Sequence, residues 1–123
     1  GLSYTTFNYS NLNTDKKTYD QADTIQATFT LTNTGDREGA EVAQLYVSDP
    51  VCSVMRPVKE LKGFKKVFLK PGESRRITLD IPVSSLAFYS EVQSQFVVEP
   101  GEFILQLGAS VSDIKQRISV EVK

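Results

Sequence analysis

Thr24-Ile25-Gln26-Ala27-Thr28-Phe29-Thr30-Leu31-Thr32 decides the architecture. Ile25, Ala27, Phe29 and Leu31 alternate with five polar side chains, four of them threonine. A period of two places the apolar set on one face of a strand and leaves a wet face opposite. The next residues, Asn33-Thr34-Gly35-Asp36-Arg37-Glu38-Gly39, supply the Asn and Gly that a turn uses for positive φ. A second alternating run follows from Ala40 to Ser48. Ala43, Leu45 and Val47 lie on one face, and Val42, Gln44 and Tyr46 on the other, so this strand is a candidate for cover on both sides.

The same period recurs outward in both directions. Upstream, a strand-like stretch runs to Leu12. Downstream, Leu61 to Leu69 reads as a strand kinked or bulged at Gly63. Lys70-Pro71-Gly72-Glu73 has Pro second and Gly third, as a type II turn requires. Arg75 to Ile81 alternates again and Pro82 ends it. Ser84 or Ser85 is placed to cap one short helical turn before Leu86. Phe96 to Val98, Phe103 to Gly108 and Ile114 to Val122 complete the set, and Glu99-Pro100-Gly101-Glu102 reads as a second Pro-Gly turn. The fold class is therefore all-β, a two-sheet antiparallel β-sandwich of seven or eight strands, with a barrel as its rival. The long segment from Asp49 to Lys59 reads as a cross-over between the sheets, which favours the sandwich. The predicted core comprises Phe29, Leu31, Leu45, Val47, Ile77, Leu79, Leu105 and Leu107.

Composition narrows the chemistry. The 123 residues fit one domain, 1–123, able to bury a real core. Net charge is −1, too small for a strong overall field toward nucleic acid or membrane. There is no His and no Trp, and Cys52 is the single cysteine. An internal disulfide is excluded, no Cys/His set can hold zinc, and Cys52 has no imidazole to activate it. The acids Asp36, Asp49, Glu73, Glu99, Glu102 and Asp113 are scattered in turns rather than paired across one bond. Asp20 and Asp23 could share a calcium ion, but they lack a ligand loop. No catalytic, cofactor-binding or metal residue is assigned, and no cofactor is expected. Eight of the fourteen Lys and Arg fall between Arg56 and Arg76, which reads as the solvated face of two neighbouring strands or as a patch for an anionic polymer. Asn8-Tyr9-Ser10 matches a glycosylation acceptor pattern, a common accidental match.

Four segments together resemble family 3 glycoside hydrolases, the β-glucosidases, β-xylosidases and their relatives. Gly1-Leu2-Ser3-Tyr4-Thr5-Thr6-Phe7 is similar to the GLSYT-F junction of that family. Asn33-Thr34-Gly35 followed by Gly39-Ala40-Glu41-Val42-Ala43-Gln44-Leu45-Tyr46-Val47 resembles NTG…G-EVVQLYV. Arg56-Pro57-Val58-Lys59-Glu60-Leu61-Lys62-Gly63-Phe64, continuing to Leu69-Lys70-Pro71-Gly72-Glu73, resembles RPVKELKGF and the PGE behind it. Pro100-Gly101-Glu102-Phe103 and Gly108-Ala109-Ser110 fit the closing PGEF…G-S. One departure is Ala22-Asp23, where relatives often have Gly.

The resemblance covers nearly the whole chain and implies an immunoglobulin- or fibronectin type III-like domain from the C-terminal part of a larger enzyme. It implies a role without catalytic residues, since the family's nucleophile Asp and acid/base Glu lie in other domains. Ser48-Asp49-Pro50 lacks the Trp of the family's nucleophile signature, so nothing is carried over to Asp49. The expected partners are the catalytic domains of the same polypeptide, in a periplasmic or secreted parent, with no nucleic acid or membrane partner and a monomeric isolated domain. An independent carbohydrate-binding module is the alternative. Val51, Cys52, Val54, Met55 and Val58 crowd apolar side chains into one loop, and apolar surface of that kind usually has a partner. The expected interdomain contact is therefore Tyr4, Val51, Val54, Met55, Arg56 and Val58. The competing expectation folds the loop back over one end of the sandwich.

Overall fold

The computed structural model describes residues 5–50 and 59–123. Among them are ten strands: β1 (Phe7–Thr14), β2 (Thr18–Tyr19), β3 (Thr24–Asn33), β4 (Gly39–Ser48), β5 (Glu60–Leu69), β6 (Ser74–Pro82), β7 (Phe88–Ser90), β8 (Gln95–Val97), β9 (Gly101–Ser110) and β10 (Asp113–Val122). Seven are eight to ten residues long. The additional three, β2, β7 and β8, have two or three residues each.

One sheet has the order β1-β3-β6 and the other β2-β10-β9-β4-β5, with β7 and β8 forming a separate hairpin. All pairings are antiparallel except β2 with β10, which is parallel. This is the expected sandwich, and the two sheets stay open rather than closing into a barrel. Every residue of the predicted core is buried, with Phe29 1%, Leu45 0% and Leu105 0% exposed. Tyr9, Tyr19, Ile25, Ile81, Phe103 and Val120 join the same cluster between the sheets.

Three local expectations need correction. The segment from Asp49 to Lys59 does not cross between sheets: β4 and β5, which it joins, are hydrogen-bonded neighbours in one sheet. The chain changes sheet instead at the Lys70–Glu73 turn, between β5 and β6. There the Glu73 N–H donates to the Lys70 carbonyl at 2.9 Å and Gly72 takes φ +78°, the left-handed value a type II turn demands. Second, Pro100-Gly101 is not another such turn, because Gly101 has φ +137° and already pairs with Val122 as the first residue of β9. Third, neither serine caps the 3₁₀ turn Val83–Leu86. Pro82 holds the N-cap position without a side-chain cap, and the Ser85 hydroxyl donates to the Pro82 carbonyl at 2.7 Å.

The bulge expected at Gly63 is present. Leu45 pairs with Gly63 and the next residue, Tyr46, pairs with Leu61, so one residue of β5 is extra. Asn33, at the end of β3, is fully buried and fully bonded. Its Nδ2 donates to the Arg37 and Leu69 carbonyls at 2.8 and 3.0 Å, and its Oδ1 accepts from Thr5 Oγ1 and the Gly35 N–H at 2.8 and 3.0 Å. A Cβ on Gly35 would lie 2.0 Å from Thr5 Oγ1 and 3.0 Å from the Thr6 nitrogen. The Asn33-Thr34-Gly35 triplet is thus a structural clasp: Asn33 ties three chain segments and Gly35 lets the first of them pass.

Candidate functional site

Tyr4, Val51, Val54, Met55, Arg56 and Val58 lie outside the described residues, as does Cys52. Their described neighbours leave the sandwich at opposite ends. Thr5 is bonded to Asn33, beside the start of β4, whereas Asp49 and Lys59 stand at the other end of β4 and the start of β5. Ten residues of strand separate these ends by about 30 Å.

The carboxylates whose titration is displaced all serve the fold. The Tyr19 hydroxyl donates to Asp15 Oδ1 at 2.6 Å, and this bond, with the Gln26 N–H on the same oxygen, holds the Asp15 carboxyl below its usual range. The Asp23 carboxylate accepts the Asp20 N–H at 2.8 Å and pairs with Lys16 at 3.2 Å, and both lower it. It closes the turn through Ala22, where the Asp23 N–H also reaches the Asp20 carbonyl. Glu73 is lowered chiefly by the Lys70 N–H. A general acid at neutral pH needs a carboxyl tuned upward, the opposite direction. Among the described residues no three His, Cys, Asp or Glu gather to hold a metal ion.

Tyrosines divide as packing groups. Tyr9, Tyr19 and Tyr46 are buried, with their hydroxyls on Glu41, Asp15 and Gln44. Tyr46 lies on the outer face of the larger sheet. Beside it, the Gln106 Nε2 donates to Ser48 Oγ at 3.0 Å and Arg117 Nε donates to Gln106 Oε1 at 3.1 Å. Val42, on the same face, is 37% exposed, so the outer side of β4 is covered only at its Tyr46 end.

The basic segment does not form one face. β5 and β6 are edge strands of different sheets, not neighbours in one. Lys62 pairs with Glu60 at 3.3 Å and donates to the Ser85 carbonyl, while Arg75 pairs with Glu73. Lys66 sits 5.2 Å from the Phe68 ring centre.

Two exposed apolar groups are present that sequence reading did not single out. One is on the outer face of β4 and β5, where Leu61, Phe64 and Phe68 are 47%, 65% and 64% exposed beside Val42. Directly opposed pairs there are Tyr46–Leu61, Gln44–Phe64, Val42–Lys66 and Ala40–Phe68. The signal was available: β5 has apolar residues in both phases, Val67 and Leu69 inward and Phe64 and Phe68 outward. The other group is the β7–β8 hairpin. Tyr89 and Phe96 meet edge to face at 5.3 Å, and a shallow cleft of about 560 Å³ beside Phe96 is lined by Gln21, Ser84, Gln93 and Gln95.

The fibronectin type III-like domain profile matches residues 41–111, more than half of the chain. The chain belongs to the fibronectin type III-like family. This domain is 43% identical over 122 residues to the thermostable β-glucosidase B of Acetivibrio thermocellus, covering 99% of the chain and 16% of that enzyme. It is 41% identical to the periplasmic β-glucosidase of Salmonella typhimurium over 94% of the chain and 15% of the relative. The crystal structure of a GH3 β-glucosidase from Bifidobacterium adolescentis superposes with a TM-score of 0.89 at 43% identity, over 99% of this chain and 18% of that one. The domain thus spans about a sixth of each of these enzymes, which are single chains several times its length.

Proposed function

We propose that this domain is a non-catalytic accessory module that packs on the catalytic domains of a family 3 glycoside hydrolase. The parent hydrolyses terminal β-glucosides or β-xylosides, in the periplasm or outside the cell. One observation carries the reading: nearly all of the domain aligns with only 15–18% of β-glucosidase chains, at 41–43% identity. The displaced carboxyls support it, since each is held low by a bond that serves a turn or strand. The Salmonella relative, by its name, supports the location.

The test uses the purified 123-residue chain with aryl β-glucosides and β-xylosides, then with insoluble glucans in a pull-down. No turnover and no retention are expected. Turnover that survives removal of trace contaminants would overturn the non-catalytic role. Retention on glucan would replace packing by the carbohydrate-binding alternative. Elution from heparin only at high salt would favour an anionic partner instead.

A further inference from the structure

We infer that the outer face of β4 and β5, centred on Leu61 and Phe64, is the surface by which the domain docks on the rest of its own polypeptide. The inference rests on the packing proposed above and names the face that carries it.

Three features of that face lead to one occupant. First, its apolar groups are contiguous. Leu61, Phe64, Val42 and Phe68 occupy successive rows of two paired strands, over about 20 Å of sheet. Single exposed apolar residues are ordinary, but a contiguous patch calls for a covering surface. Second, the face is built to present them. The bulge at Gly63 brings Leu61 and Phe64, three residues apart, to the same side. A strand of unbroken period two would have turned Leu61 toward the opposite sheet. Third, the outer row of β4 runs up to Ser48, close in sequence to the Val51–Val58 stretch with its own valines and methionine.

Charge and shape separate this occupant from its rivals. Lys66 stands in the row between Phe64 and Phe68. Among the described residues Lys66 makes no ion pair. A second copy laid on this face brings another Lys66, and no acidic group, to the patch, and like charges brought together across an interface oppose association. A flat glucan surface would meet the Lys66 ammonium, which sits over the Phe68 ring. The complement is a protein surface, apolar where it meets Leu61 and Phe64 and acidic opposite Lys66. The relatives supply the chain for it, because more than four fifths of each lies beyond this domain.

Hydroxyl-radical footprinting, read residue by residue by mass spectrometry, tests this without a mutation. It is run on the 123-residue chain and on the full-length polypeptide that carries it. Phe64 and Leu61 should oxidise readily in the isolated chain and fall to the level of buried Phe29 in the full-length protein. Tyr89 and Phe96 should oxidise equally in both. If Tyr89 and Phe96 are protected instead while Phe64 stays reactive, the domain packs but by its hairpin, and this face is wrong. If no aromatic changes, the packing itself fails. If Phe64 becomes protected in the isolated chain as its concentration rises, the occupant is a second copy and the inference is overturned.

Discussion

The Tyr9 hydroxyl donates a 2.8 Å hydrogen bond to Glu41 Oε2, joining β1 of one sheet to β4 of the other. Glu41 occupies a core-facing position of β4, in phase with Ala43, Leu45 and Val47, and Tyr9 is 5% exposed. Burial first, and then the Glu41 carboxylate, push the Tyr9 phenol well above its usual range. Tyr9→Phe leaves the half-buried carboxylate without its donor and should cost about 1.5–3 kcal/mol, as for a hydrogen bond to a charged group. Glu41→Gln keeps an acceptor and should cost less. A double-mutant cycle by urea unfolding should show clear coupling between the two sites, and additive losses would mean that the bond contributes nothing.

Asn33 should be intolerant of change in a specific order. Asn33→Asp places an oxygen against the Arg37 and Leu69 carbonyls, where an amide nitrogen now donates. Asn33→Ala leaves the same groups unpaired, at about 1–3 kcal/mol for each buried group. Chemical denaturation should therefore rank wild type above Ala and Ala above Asp, with the Asp variant recovering partly at low pH as the carboxyl protonates. Equal stability of all three would show that the clasp is not needed.

Two strand glycines should differ. A Cβ at Gly108 would lie 2.2 Å from the Asp113 carbonyl oxygen and 2.9 Å from the Ile114 Cα, both backbone atoms. At Gly63 the nearest neighbour would be Leu79, at an ordinary 3.9 Å. Gly108→Ala should destabilise by about 1–3 kcal/mol through overpacking, and Gly63→Ala by much less. Thermal melts of the two variants compare them directly.

Stability should fall at both extremes of pH, for separate reasons. Asp15 is held below its usual range by the Tyr19 hydroxyl, so its contribution is present above the unfolded carboxyl range near pH ~4 and is lost as pH falls through the folded value. Tyr19 is pushed up to about 12 by burial and by Asp15. Below about pH 10 both folded and unfolded chains keep that phenol protonated, and stability is full. Above it the unfolded chain ionises first, so stability declines toward pH 12. Tyr19→Phe should shallow the alkaline limb without abolishing it, because Tyr9 acts with the same sign. Urea midpoints from pH 3 to 11 would show this, and an unchanged alkaline limb would remove Tyr19 from the account.

The sandwich was legible because β3 and β6 are wet on one face and dry on the other, so period two alone orients Phe29 and Ile77. Gly72 was legible from Pro-Gly at the second and third turn positions, but the same dipeptide at Pro100-Gly101 opens β9, so the pattern alone did not decide. Other features depended on distance in the chain. β2 is two residues held by β10, with the Glu121 N–H on the Lys17 carbonyl, and no local pattern announces such a pairing. The segment from Asp49 to Lys59 was misread because loop length does not distinguish a long hairpin from a cross-over. The outer face was missed for a subtler reason. The bulge at Gly63 shifts the phase of β5, so that Leu61 and Phe64 share a side despite their odd spacing. Counting by twos across it assigns Leu61 to the core.

Phe64→Asp, introduced into both the 123-residue chain and the full-length polypeptide, tests the central claim most directly. Phe64 is 65% exposed in the isolated domain, so an acidic residue there meets water and removes little packing. If this face docks on the catalytic domains, the same change buries a charge against an apolar surface in the full-length protein. The account predicts an unchanged melting temperature for the isolated chain and a lowered first transition for the full-length protein. Phe96→Asp, on the hairpin, removes the edge-to-face contact with Tyr89 and should shift both proteins by the same small amount. A full-length protein that melts identically with and without Phe64→Asp would contradict it.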